Sequence, residues 1–179
     1  MASKIACCCA FLLMLLFALP FRTFAQASKD NANVTALFTM AKTTAAKIKT
    51  DAADMESYSR ATGLNWQSHD AKLNTIKIDV NELSKSIEGL KSQRSTASAW
   101  QQDAIDRVTP LMSDLVASMN ATIDHLSKSK ARPTAPPYPE YLKANARIAS
   151  DLSSEINDIV DYSQEKNRMD RLAPQLEKS

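Results

Sequence analysis

Glycine is almost missing from this chain: 179 residues contain two, Gly63 and Gly89. Sandwich folds and α/β folds with phosphate-cradling loops need many more turn glycines, so both are excluded. Aromatic residues are also scarce, at 6%. A core must therefore come from Leu, Ile, Val, Met and Ala. The only cysteines are Cys7, Cys8 and Cys9, which precede an apolar run. A lipid-attachment cysteine would follow such a run. Removal of that N-terminal segment leaves no thiol, and so no disulfide, thiolate metal site or cysteine nucleophile.

The familiar bundle chemistries are missing as well. Di-iron carboxylate bundles use Glu-x-x-His on two helices. Here Trp66 stands three residues before His69, and Thr122 stands three before His125. Attached haem of the c type needs Cys-x-x-Cys-His, and zinc proteases need His-Glu-x-x-His. Neither occurs. Serines are plentiful, but straight helices offer no strained elbow for a Ser/His/Asp triad. The expectation is a protein that is not an enzyme and has no cofactor.

Lys4, the apolar run Ile5 to Leu19, Pro20 and the small residues Ala25 and Ala27 read as a secretory signal peptide over residues 1–27. Cleavage would follow Ala25 or Ala27. The run is short for a membrane span, which needs about 20 residues. No stable span is expected after cleavage, and the expected location is periplasmic or extracellular. Lys4 and Arg22 leave with the signal, so 20 basic residues face 20 acidic ones. A neutral chain without Lys/Arg runs has no long-range field to gather nucleic acid.

What is present is helical periodicity. Trp66, His69, Leu73, Ile76, Val80, Leu83, Ile87 and Leu90 recur in an unbroken 3-4 alternation, the seam of a helix packed on other helices. Comparable seams run through Val34, Leu37, Ala41, Ala45, Ile48, Ala52 and Met55, and through Ile105, Val108, Met112, Leu115, Met119, Thr122 and Leu126. A fourth uses Leu142, Ala149, Leu152, Ile156 and Ile159, widened by Tyr141, Ile148 and Val160. The pattern predicts helices over about 34–58, 65–94, 99–128 and 139–172. Asp30, Asn31 and Asn33 are candidate N-caps of the first, Gly63 marks the first break, and Ser98 with Gln101 has capping-box spacing. Pro110 is expected to kink the third helix without ending it. A proline-rich linker, Arg132 to Pro139, leads into the fourth, which Pro174 is expected to close. The fold class is all-α: an antiparallel up-down-up-down four-helix bundle over residues 28–174, with a tail over 175–179. The competing architecture is an extended coiled-coil hairpin that dimerises. The wide stripe of the fourth helix favours the closed bundle.

One constellation could carry chemistry. His69 and His125 lie 28 residues on either side of a hairpin turn near Ala97, so both belong to one end of the bundle. Counting across the first turn brings Met55 and Glu56 to that level, and counting across the linker brings Asn145. Asp70 and Asp124 adjoin the histidines. His69 and His125 with Glu56 or Asp124 would suit Zn²⁺ or Cu²⁺, and two axial histidines would suit a b-type haem. The commoner role of such histidines is hydrogen-bonded filler where core meets water, and that is the role expected. Trp66 and Trp100 near helix starts are expected to cap bundle ends. Asn145 is expected to fix register, and Ile78 lies off its seam.

Trp66-x-x-His69, Leu73-Asn74-x-Ile76-Lys77, Ser98-x-Trp100-Gln101-Gln102-x-Ala104-Ile105-Asp106-Arg107, His125-Leu126 and Tyr141-Leu142-Lys143-Ala144-Asn145 resemble a group of secreted bacterial helical-bundle proteins with no assigned activity. The likeness covers about Trp66 to Tyr162. It implies a bacterial envelope location and no chemistry. Plant secreted four-helix inhibitors of wall enzymes are similar in size but rely on disulfides. The function expected is binding or scaffolding, with an unidentified protein or small ligand of the envelope as partner and self-association allowed. The alternative is a metal- or haem-binding bundle. A sensor domain is a third reading, disfavoured by the absence of a second membrane segment.

Overall fold

A computed structural model describes residues 29–58, 65–130 and 136–176. The expected signal peptide, its cysteines, the Gly63 break, the first half of the proline-rich linker and residues 177–179 lie outside the described residues. Four helices are present: α1 (Ala32–Tyr58), α2 (Trp66–Gln93), α3 (Ala99–Lys128) and α4 (Tyr138–Leu176). One 3-10 turn, Arg94–Thr96, joins α2 to α3, and no strand occurs among the described residues. Around a square, α1 packs on α2 and α4, and α3 packs on the same two. This is the expected four-helix bundle, with one core cluster drawing on all four helices. No described helix is long and apolar enough to cross a membrane.

The seams of α2, α3 and α4 face inward as their periodicity requires. In α2 every seam position from His69 to Leu90 is buried, and Trp66 is half-buried. All seven α3 positions are buried, and so are the five inward positions of α4. Each fully buried Leu, Ile or Val contributes about 1.5–3 kcal/mol relative to exposure. In α1 one position differs: Phe38, not Leu37, occupies the centre. Leu37 turns toward α2, where Gly89 offers no side chain and a Cβ would lie 3.4 Å from Leu37 Cδ1. The off-centre leucine packs over the glycine, and the larger Phe38 fills the interior.

The helix starts follow local hydrogen-bond chemistry. Asn31 caps α1, its Oδ1 accepting from the Asn33 amide at 2.9 Å. Asn65 caps α2, accepting from the Ser68 amide at 3.0 Å. At the start of α3, Gln101 reaches back to accept from the Ser98 amide at 3.1 Å. α3 continues through Pro110. α4 also continues through Pro174, ending at Leu176 and not at Leu172 as its sequence suggests. Proline removes one intrahelical hydrogen bond. Here the residues around it are exposed, so the freed carbonyl can face solvent and the turn survives.

Pairs between helices fix their register. Asp79 on α2 is buried beside the seam, and Lys47 from α1 closes over it. Lys72 pairs with Asp51 at 2.8 Å, and Arg107 with Glu155 at 3.1 Å.

Candidate functional site

The end of the bundle where α2 and α4 begin contains the polar layer expected from hairpin counting. His69 is buried, with 1% of its surface exposed. Its Nδ1 lies 3.1 Å from the Tyr138 hydroxyl, while its Nε2 has no hydrogen-bond partner among the described residues. Burial holds the His69 pKa below the ordinary imidazole value. Tyr138 is fully buried. Its hydroxyl is pushed well above the usual tyrosine range, chiefly by burial and further by the Asp70 carboxylate.

Both histidines meet Tyr138. His69 contacts it edge-on, with ring centroids 5.5 Å apart. His125 stacks on it at 6.1 Å and contacts Tyr141 at 5.5 Å. The phenol is therefore the common partner, and no direct ring contact between the two imidazoles occurs among the described residues. Asp124 faces outward and pairs with Lys128 at 2.6 Å. Glu56 lies on the outer α1–α4 surface near Lys49, Glu140 and Lys143. Among the described residues, no group of three or more His, Asp or Glu side chains gathers in a geometry that could hold a metal ion. One layer inward, Asn145 Nδ2 donates to Thr122 Oγ1 at 2.8 Å. Thr122 donates in turn to the Ser118 carbonyl at 2.8 Å. This buried bond ties α4 to α3 at one register. Trp66 lies half-buried with the Lys130 ammonium 4.5 Å from its ring centroid.

The opposite end is held by Asp30 and Gln101. Asp30 accepts from Trp100 Nε1 at 2.6 Å and from Ser98 Oγ at 2.7 Å, and pairs with Lys166 at 3.3 Å. Burial alone would raise its pKa. The three donors outweigh burial and hold the carboxyl below its ordinary value. Gln101, fully buried, accepts from the Asn31 amide at 2.9 Å and donates to the Asn31 carbonyl at 3.0 Å. These contacts pin the chain entering α1 to the starts of α3 and the end of the α4 core. Trp100 also meets Tyr162 edge-on, at 5.1 Å between centroids.

Past Lys166, α4 leaves the bundle. Every residue from Asn167 to Leu176 is exposed, a projection of about 15 Å at 1.5 Å per residue. Met169, Leu172 and Leu176 are 68%, 44% and 77% exposed. With Tyr162 they form one stripe, turned about 130° from the face that carries Ile156, Ile159 and Ser163. The inward face of the projection is polar. It borders an open groove of about 1060 Å³ with Lys29, Asp30, Trp100, Lys166 and Arg171 on its walls.

Sequence periodicity missed Tyr138, Asp30 and Asp79. Tyr138 sits between Pro137 and Pro139 and reads as linker. The available signal was Pro139, whose fit to a first helical turn places its neighbour at the bundle end. No family profile matches the chain, and comparisons with curated proteins and with solved structures found no similar protein.

Proposed function

We propose that this chain is an exported, non-enzymatic four-helix bundle that acts by binding or scaffolding. Its partner would be a protein or small ligand outside the cytoplasm. The observation that carries this reading is the projection of α4 beyond the other three helices. Its apolar stripe, Met169, Leu172 and Leu176, is exposed and faces away from the core. Contiguous exposed apolar surface is typical of interaction sites, whereas single residues such as Ile78 are not informative. The rigid bundle would present this helix, and polar contacts at both ends would hold the bundle closed.

Photocrosslinking in the native compartment tests the reading. A crosslinking residue at Met169 should give a discrete adduct, and one at Ile78 should give none. Equal labelling from both positions, or none from either, would remove the support. A second reading, a metal or haem site, draws on the bare Nε2 of buried His69. It requires bound metal or a Soret band in protein purified from its own source, lost in His69→Ala and His125→Ala.

A further inference from the structure

We infer that the groove beneath the α4 projection binds a short hydroxycarboxylate. This rests on the binding reading and names a ligand class for a different surface from the apolar stripe. Three observations combine. The first is a narrow cleft of about 40 Å³ between α1 and α4, with Phe38, Trp100, Ile159 and Val160 among its walls. A water needs roughly 10–15 Å³ of such volume, so the cleft admits a few waters or one small branched group. It shares Thr35, Trp100 and Asn167 with the wide groove, and so opens into it.

The second observation is Ser163. This residue lines the cleft, is 4% exposed, and its hydroxyl has no partner among the described residues. A buried polar atom without a partner costs about 1–3 kcal/mol. An occupant carrying one hydrogen-bonding oxygen on an otherwise apolar body removes that cost. The third is charge. Asp30 already accepts from Ser98, Trp100 and Lys166, and Asp170 is paired with Lys166 at 2.7 Å. Lys29 and Arg171 also line the groove, and neither has an ion-pair partner among the described residues. The charge left for a ligand is therefore positive. An Arg fork matches a carboxylate.

Together these describe a carboxylate directed at Arg171 and Lys29, a small apolar body against Trp100, and a tail hydroxyl at Ser163. 3-Hydroxybutyrate, with a carboxylate head, a small apolar body and one hydroxyl, is the probe of this class.

NMR titration with 3-hydroxybutyrate tests the assignment on the intact mature protein. The chain has two tryptophans, so the indole N–H of Trp100 reports the groove and that of Trp66 is an internal control at the other end. The Trp100 signal should shift and saturate, and the Trp66 signal should stay. Butyrate should bind about fivefold more weakly, and 3-hydroxybutanol, which lacks the charge, should not bind. Arg171→Ala should weaken binding about tenfold, and Ser163→Ala should abolish the preference over butyrate. Absence of a saturating Trp100 shift at millimolar ligand overturns the inference. So does equal response to acetate, butyrate and 3-hydroxybutyrate, or unchanged binding by Arg171→Ala. Loss of this site with the Met169 crosslink retained would leave the broader binding reading standing.

Discussion

The Tyr138 hydroxyl lies 3.1 Å from His69 Nδ1, joining the first turn of α4 to the first turn of α2 inside the core. Tyr138→Phe removes the hydroxyl and leaves a buried ring nitrogen without its partner. The expected cost is about 1–3 kcal/mol. His69→Leu strands the hydroxyl in the same way and should cost a similar amount. The double variant replaces both polar groups with apolar ones, so its cost should fall short of the sum by about 1 kcal/mol or more. Urea unfolding of the four proteins, with unchanged m-values, measures this directly. Additive costs would mean that the two groups are not coupled.

The same burial sets a pH dependence. The folded protein holds the His69 pKa below its unfolded value of about 6.5. The neutral imidazole is thus the form that the fold accepts. Its contribution is fully present above pH 6.5 and is lost as pH falls from there toward the folded pKa, because the unfolded chain takes up the proton first. Asp30 behaves separately: its pKa is below 3.8 in the folded state, so its contribution is lost only below about pH 4. Unfolding free energies at pH 7.5, 6.5 and 5.5 should decline for the parent protein and decline less for His69→Leu. A parallel decline in both would assign the effect to other groups.

The fold was legible because its signal is redundant. Every turn of α2 from Leu73 to Leu90 repeats the same statement about which face is apolar, and no single residue has to be read correctly. The site layer was legible only to the level of a shared bundle end. Hairpin counting placed His69 and His125 there, but rise per residue says nothing about which side chain comes between them. That residue, Tyr138, stands in a proline-rich segment with no period. The Asp30 cluster was hidden for a related reason. An aspartate just before a helix looks like a cap, and only the three-dimensional closeness of the start of α1 to the start of α3 and to α4 gives it Ser98, Trp100 and Lys166 as partners. Leu37 and Phe38 are adjacent apolar residues, and Phe38 is the one that keeps an unbroken 4-3 alternation from Val34 to Met55, so this position was legible and was misread.

Asp30 provides a third expectation. Its carboxylate accepts from Trp100 Nε1 and Ser98 Oγ and pairs with Lys166. Asp30→Ala leaves a partly buried indole N–H without an acceptor, at a cost of about 1–3 kcal/mol. Trp100 should then be more exposed, with red-shifted and more quenchable emission. Asp30→Asn keeps one carbonyl oxygen and should retain most of the Trp100 environment while losing the Lys166 attraction. If both variants leave Trp100 emission unchanged, the cluster does not hold this end of the bundle.

Gly89 provides an expectation of the opposite sign. It lies inside α2, where glycine is less favourable than alanine by about 0.8–1.0 kcal/mol. An added Cβ would lie 3.4 Å from Leu37 Cδ1 and 3.5 Å from Cδ2, an ordinary van der Waals contact with the flexible end of a side chain. The backbone at this site does not need a positive φ, so the methyl introduces no strain. Gly89→Ala should therefore stabilise the protein by about 0.5–1 kcal/mol, through a less flexible unfolded chain and a better helix. Gly89→Leu adds bulk where α1 already fills the space with Leu37 and should destabilise by about 1–3 kcal/mol. The pair is informative because a purely helix-propensity effect would stabilise both, whereas close packing of Leu37 on Gly89 separates them in sign. Thermal and urea unfolding of the two variants decides between these accounts.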